Sequence, residues 1–455
     1  MNIRRLIKTA LLPTLAIACA VHALAGTPAT PAAPASPASP ETLAKRALWN
    51  DPESAAVAVR ELRALGPPGV AALLAIDAKD PKNGPRPIPE EEFARVLDQV
   101  CAQRDCASSK LYWYTDWDAA LAAAKASGKP ILSLRLLGRL DEDLSCANSR
   151  FFRTVLYADP EISRILRERF VLHWRSVRPV PRISIDFGDG RTLTGTLTGN
   201  SIHYVLDARG RLIDALPGLI GPGAFERELL ALEAAARAAA KLGDEELAAA
   251  SRRRHREAAG SLSTALTADL DAPLDPLGRH AGVRLVAPAR LAAPQPTALE
   301  AARLAMSKSA VEMPILATLL PPAPGERWGE GVDWQAVARF HREDWRLDGA
   351  ARFRLESKMG LAPGPDALRA ARNFERLLAE DTARNTLGLR GVLHAWLAEE
   401  KGAVDLEAFN ERVYAELFLT PSSDPWLGLR PDGVFTGLAP APTAVAAGAP
   451  PIEGR

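Results

Sequence analysis

The stretch from Leu111 to Lys241 most constrains the fold, because apolar runs alternate there with amphipathic ones. "DWDAALAAAKASG" has the apolar spacing of a helix closed by Gly128, and "KPILSLRLLG" after it is apolar enough for a buried strand. "FVLHWRSV" predicts another strand, while Asp189-Gly190 and Ala208-Arg209-Gly210 predict two hairpin turns. Gly221 to Lys241 predicts a closing helix. This alternation favours an α/β layer over separate helical and sheet domains.

Part of this layer carries the signature "W-x-x-A-L-x-x-A-K-x-x-G-K-P-I-L". Its residues are Trp117, Ala120, Leu121, Ala124, Lys125, Gly128, Lys129, Pro130, Ile131 and Leu132. "SCANSRFF", "DPEISRILRERFV" and "HYVLDARGR" follow in order, and together these segments resemble the thioredoxin-like superfamily, in its branch of exported bacterial proteins. The resemblance covers roughly 130 residues and implies a thioredoxin-like α/β domain at 111–241.

In that family a Cys-x-x-Cys motif begins the helix after the second strand, where the helix start makes the thiolate more nucleophilic. The resemblance places Cys146 there as the catalytic sulfur, with Ser149 at the partner position and Ala147 and Asn148 between them. It also places Ser201 where the family has a cis-proline beside the active sulfur. A serine cannot resolve a mixed disulfide, so the ordinary dithiol cycle is not expected.

Two functions remain open for Cys146. It can be a single-cysteine thiol-disulfide redox group that attacks a protein or peptide partner or is oxidised to a sulfenic acid. Alternatively, the domain is a catalytically inactive binding or scaffold protein in which Cys146 is a buried residue of the groove. Asp141, Glu142 and Asp143 precede the cysteine, and their charge opposes thiolate formation while the helix start favours it.

Residues 1–25 have the pattern of a cleaved signal peptide. A basic start is followed by an apolar stretch, and Ala23-Leu24-Ala25 gives a small-x-small site before Gly26. We therefore expect an exported protein, periplasmic or extracellular, without an integral membrane segment after cleavage. In the alternative interpretation, Cys19 is lipidated in a lipoprotein box.

Cleavage before Gly26 would remove Cys19 and leave Cys101, Cys106 and Cys146. In an exported protein these cysteines can form disulfides. Cys101 and Cys106 are five residues apart, so a structural disulfide between them requires the helix to end in between. The alternative is two unpaired thiols at a helix end. Cys146 is left as the free thiol in the disulfide-bonded form.

The remaining sequence divides by composition. Residues 26–40 predict a Pro/Ala-rich linker. Residues 41–110 predict a helical cap resembling a HEAT-type helix pair, and 242–296 a connecting segment. Residues 297–438 predict a C-terminal all-α domain, with helices at 297–320, 334–344, 366–381, 387–399 and 406–417, before a disordered tail at 439–455.

Several function classes are not expected. Removing the three basic residues of the signal peptide takes the formal net charge from +1 to −2, which gives no global attraction to nucleic acid. No glycine-rich phosphate loop is present, so we expect no cofactor. His173 and His203 lack metal-ligand spacing, so we expect no metal site. The basic run 252–256 predicts a solvated helix face.

Overall fold

The computed structural model describes residues 38–76, 84–272, 298–305 and 332–429. The predicted signal peptide, most of the linker and the predicted tail lie outside these ranges. Within them, no helix is long and apolar enough to cross a membrane.

The N-terminal region is helical. Its helices are α1 (Pro40–Trp49), α2 (Pro52–Ala64), α3 (Pro67–Leu74), α4 (Glu90–Cys101) and α5 (Cys106–Ser109). The start of α2 is set by Asp51, whose side chain accepts two main-chain N–H bonds of the first turn. Gly66 turns the chain into α3 at a φ of 74°, a left-handed conformation that glycine adopts without steric cost. Leu62 and Leu73 bury the apolar faces of these helices.

A disulfide joins Cys101 to Cys106, the pair that the sequence favours. Helix α4 ends at Cys101, and left-handed residues Ala102 and Asp105 reverse the chain, so the two cysteine Cα atoms lie 6.3 Å apart. The Asp98 carboxylate accepts the Cys106 N–H at 2.8 Å and fixes the start of α5.

The middle of the chain forms the α/β layer expected among helical regions. Its elements are α6 (Trp117–Ser127), β1 (Ile131–Leu137), α7 (Ala147–Phe151), α8 (Pro160–Arg169), β2 (Val171–Arg178), β3 (Arg182–Asp186), β4 (Thr192–Thr196), β5 (Ser201–Leu206), β6 (Leu212–Pro217) and α9 (Pro222–Ala239). One sheet has the strand order β2-β1-β5-β6. β1 and β2 are parallel, whereas β5 is antiparallel to both β1 and β6.

Local sequence explains most of these elements. Asp116 caps α6, and Gly128 ends it at a φ of 67°. Every residue of β1 is buried, as expected for a central strand with an apolar run. Tyr114 pairs with His173 in an isolated parallel bridge and so extends the sheet beyond β2.

Strands β3 and β4 form a separate two-stranded hairpin inserted between β2 and β5. Its turn contains Gly188 and Gly190, both with positive φ, which accounts for the Asp-Gly turn signal. Phe187 and Leu193 of this hairpin are 55% and 51% exposed.

The remaining elements are helical: α10 (Asp244–Asp271), α11 (Ala298–Ala302), α12 (Trp334–Ala338), α13 (Arg342–Trp345), α14 (Gly349–Lys358), α15 (Pro365–Ala383), α16 (Arg390–Glu399) and α17 (Leu406–Arg412). Helix α10 is 28 residues long and lies within the predicted connecting segment. The helices predicted at 366–381 and 387–399 are joined without a gap, because the π-helical segment Arg384–Leu389 makes α15 and α16 continuous.

The prediction of a solvated face at 252–256 is wrong for two of its residues. His255 is buried, and Arg254 bonds to the buried carboxylate of Asp214 at 2.5 Å. A 28-residue helix that packs on α16 must turn some residues of any charged run inward.

The C-terminal helices share one hydrophobic core with the sheet. Arg178, at the end of β2, donates from its guanidinium to the carbonyl oxygens of Thr420, Pro421 and Asp424. These bonds tie the end of the last helical region to the edge of the sheet.

Candidate functional site

Cys146 lies at the point where the chain leaves the sheet and starts α7. After β1, Gly138 turns the chain at a φ of 76°, and the Cys146 N–H returns to the Leu137 carbonyl at 3.4 Å. Cys146 is then the N-terminal capping residue of α7, which continues as a π-helical segment over Phe152–Leu156. Cys146 therefore starts the helix that follows β1.

Ser201 is the nearest polar partner of the sulfur. The register of β5 on β1 places Ser201 opposite Leu136, close to where β1 ends. As a result, the Ser201 Oγ lies 3.3 Å from the Cys146 Sγ. The two residues that the resemblance pairs are thus adjacent in space.

Ser149 stands where the resembling family has its second cysteine, and its hydroxyl makes only local hydrogen bonds. Its Oγ lies 2.8 Å from the Cys146 carbonyl oxygen and 2.5 Å from the Ser145 Oγ. The hydroxyl is buried and closes the first turn of α7. Its contacts are those of a structural helix-start residue.

Asn148 connects α7 to the start of β5. Its Nδ2 donates to the Asn200 Oδ1 at 2.6 Å, and the same oxygen accepts the Ser201 N–H at 2.9 Å. Asn148 and Asn200 are buried, so this amide pair fixes the distance between the helix and the strand. Ala147, which is 4% exposed, adds only packing.

Residues 406–417, which we call the C-terminal cover, lie over this part of the layer. They comprise α17 and the π-helical segment Val413–Leu417. The Tyr414 hydroxyl donates to the Asn200 carbonyl at 3.0 Å, and the Tyr204 hydroxyl donates to the Asn410 Oδ1 at 3.2 Å. The cover therefore bonds to the residue next to Ser201.

An ion pair between a buried arginine and an exposed glutamate also holds the cover. Arg135 of β1 is 2% exposed, and its Nη2 lies 2.6 Å from the Glu407 Oε1. Burial lowers the pKa of Arg135, and the nearby Glu407 carboxylate opposes that shift. An arginine in an otherwise apolar strand requires such a partner, and the cover supplies it.

Together these contacts leave Cys146 with no exposed surface. Burial raises the pKa of Tyr157 and of Tyr414 well above the usual range. A disulfide substrate must approach the sulfur directly, and among the described residues the sulfur presents no exposed surface to it.

The acidic residues before Cys146 are engaged elsewhere. Asp143 pairs with Arg104 at 2.6 Å, and Asp141 pairs with Arg139 at 2.7 Å. Since these carboxylates are partly neutralised by arginines, their charge near the thiol is weaker than the sequence suggests.

The two strand histidines are core residues. The His173 Nδ1 lies 2.8 Å from the Ser133 Oγ, and the His203 Nε2 lies 2.6 Å from the Tyr157 hydroxyl. Burial lowers the pKa of each histidine to about 3. Both are therefore neutral near pH 7.

Sequence reasoning missed the contacts of the C-terminal cover, which involve Asn410, Tyr414, Glu407 and the Asn200 carbonyl. The available signal was Arg135, a charged residue inside the apolar run "ILSLRLL", which requires a partner of opposite charge. Nothing in the local pattern identified that partner.

No protein-family model matches the sequence. Comparisons with curated proteins and with solved structures likewise find no match.

Proposed function

We propose that the chain is an exported, non-catalytic binding or scaffold protein built on a thioredoxin-like α/β layer. Two placements support the thioredoxin-like assignment. Cys146 starts the helix after β1, and Ser201, at the position the resemblance assigns to the cis-proline, lies 3.3 Å from the sulfur.

The observation that carries the proposal is the complete burial of Cys146, beside a C-terminal cover that bonds to Asn200, the residue next to Ser201. Exchange with a substrate disulfide needs an accessible thiolate and, for turnover, a resolving thiol. Here the partner position is Ser149, whose hydroxyl is bonded within its own helix start. Cys101 and Cys106 are already joined to each other.

In this proposal the α/β layer serves as the platform for the C-terminal helices. Since the C-terminal cover packs on the part of the layer that contains Cys146, a protein or peptide partner binds elsewhere on the surface. The hairpin β3–β4 presents Phe187 and Leu193 to solvent, and neighbouring exposed apolar side chains suit protein contact.

Thiol labelling with a chromogenic disulfide tests the proposal. Purified mature protein should label at Cys146 at least about a hundredfold more slowly when folded than in denaturant, because labelling requires an opening of the structure. Cys146→Ser, which should fold normally, is the matched control and should not label in either state.

An insulin-type reduction assay completes the test. Neither the wild-type protein nor Ser149→Cys should reduce insulin disulfides catalytically, since the new sulfur at position 149 would be as buried as Cys146. The observation in support of the alternative, a single-cysteine redox protein, is the free thiol at a helix start. Rapid labelling of the folded protein, or turnover by Ser149→Cys, would refute the non-catalytic proposal in favour of that alternative.

A further inference from the structure

Three potential metal ligands from three different elements converge away from Cys146. They are Asp214 of β6, His255 of α10 and His394 of α16, and their ligand atoms all lie within 4.8 Å of one another. All three residues are buried, with exposures of 2% or less.

The two imidazole rings face each other through the same kind of nitrogen. The His255 Nδ1 lies 2.8 Å from the His394 Nδ1, and the His394 Nδ1 lies 3.8 Å from the Asp214 Oδ1. Two facing Nδ1 atoms have only one hydrogen bond to share when both rings are neutral. A single cation could accept both lone pairs at once.

The two oxygens of Asp214 have different partners. Its Oδ2 accepts from Arg254 at 2.5 Å and from Arg390 at 3.1 Å, whereas its Oδ1 accepts the Ala215 N–H at 2.7 Å. Arg254 and Arg390 thus pair with Oδ2, and Oδ1 is left on the side of the histidines.

The surrounding groups resemble the outer shell of a metal site. The arginines that hold Asp214 are themselves anchored, since Arg254 also donates to the Ile213 carbonyl at 2.9 Å and Arg390 pairs with Glu228 at 2.6 Å. Asp214 is thus positioned by its neighbours before any ion arrives.

We propose that Asp214, His255 and His394 bind one Zn²⁺ ion, which would join the sheet to α10 and α16. Imidazole and carboxylate ligands at about 2.0–2.2 Å are those that Zn²⁺ prefers, and a water molecule would complete the coordination. In a tetrahedral site the two Nδ1 atoms must be roughly 3.3 Å apart, so the rings must separate by about half an ångström from their present spacing.

Charge balance limits the affinity. Asp214 and Glu228 are matched by Arg254 and Arg390, so the ion adds positive charge without a local counter-charge. We therefore expect weaker binding than at thiolate-rich structural sites. Nitrogen ligands also discriminate against Mg²⁺ and Ca²⁺.

The test uses chelator-treated mature protein titrated with ZnCl₂ in a calorimeter. We expect one Zn²⁺ per chain and an unfolding temperature raised by a few degrees in saturating Zn²⁺, with no change in Mg²⁺. CoCl₂ should give the visible absorption bands of a low-symmetry nitrogen and oxygen site.

Variants locate the site. His394→Gln should weaken Zn²⁺ binding at least tenfold, whereas His341→Gln, which changes a partly exposed histidine paired with Asp269, should not. Equal Zn²⁺ affinity in His394→Gln would overturn the proposal. If His394→Gln does not fold, the wild-type protein provides the test. Absence of Co²⁺ absorption bands together with no rise in unfolding temperature in Zn²⁺ would overturn the proposed site.

Discussion

The hydroxyl of Tyr414 offers a direct way to loosen the C-terminal cover over Cys146. Tyr414→Phe removes the buried donor that bonds to the Asn200 carbonyl at 3.0 Å, and it keeps the ring that packs edge-on against Phe418. The substitution thus changes one polar contact of the cover and little of its apolar packing.

The expected effect follows from that single bond. Leaving a buried carbonyl without its donor costs about 1–3 kcal/mol. If Cys146 is exposed when the cover opens, the same amount is removed from the free energy of opening. Because about 1.4 kcal/mol corresponds to a factor of ten, thiol labelling should become roughly 5- to 150-fold faster.

The assay is labelling of the folded protein with excess chromogenic disulfide. Under conditions where the cover recloses faster than the reagent reacts, the rate reports the population of the open form. Tyr112→Phe is the matched control, since its hydroxyl donates to the Arg63 carbonyl at 2.8 Å in the N-terminal helices. It should leave the labelling rate nearly unchanged.

Two results would refute the reasoning. If Tyr414→Phe labels at the wild-type rate although its unfolding temperature falls, the thiol is reached by a route that does not involve the cover. If Tyr112→Phe accelerates labelling as much as Tyr414→Phe does, exposure requires global unfolding.

Three further predictions concern stability and processing. Replacing Cys101 and Cys106 by alanine should lower the free energy of unfolding by about 2 kcal/mol, the loop-closure value for so short a loop, as measured by urea titration; an unchanged midpoint would show that the bridge adds nothing. The folded-state pKa of His173 and His203 is about 3, whereas the ordinary value is 6.5. Their contribution to the free energy of unfolding is therefore present above pH 6.5 and is lost as the pH falls towards 3. Urea titrations should show the free energy of unfolding falling by about 2 kcal/mol per histidine between pH 7 and pH 5. A free energy of unfolding that does not change over this range would contradict the burial of neutral histidines. If residues 1–25 are a cleaved signal peptide, terminal sequencing of the purified protein should begin at Gly26 or close to it, and an acylated terminus in the membrane fraction would contradict this expectation.

The parts of the fold that depend on neighbouring residues could be predicted from the sequence. Helix α6 lies between the capping Asp116 and the terminating Gly128, and β5 and β6 meet at a turn with Gly210 at a φ of 83°. Each of these signals spans only a few residues. Alternating elements of this kind were sufficient to predict the mixed layer.

The cover and the histidine cluster could not be predicted, because their contacts join distant parts of the chain. Glu407 is 272 residues from Arg135, and His394 is 139 residues from His255. Spacing rules for metal and catalytic motifs apply to ligands that are close in sequence. The basic run at 252–256 shows the same limit, because its pattern gives no information about which helix packs against it.

The position of the cover at residues 406–417 has a consequence for biosynthesis. A chain made from its N-terminus completes the sheet around Cys146 long before Tyr414 is synthesised, so the thiol is uncovered for most of that interval. Cys101 and Cys106 are made earlier than Cys146 and are only five residues apart, so they can pair before it emerges. Their early pairing keeps these two thiols from capturing Cys146 in a non-native bridge before the cover is synthesised.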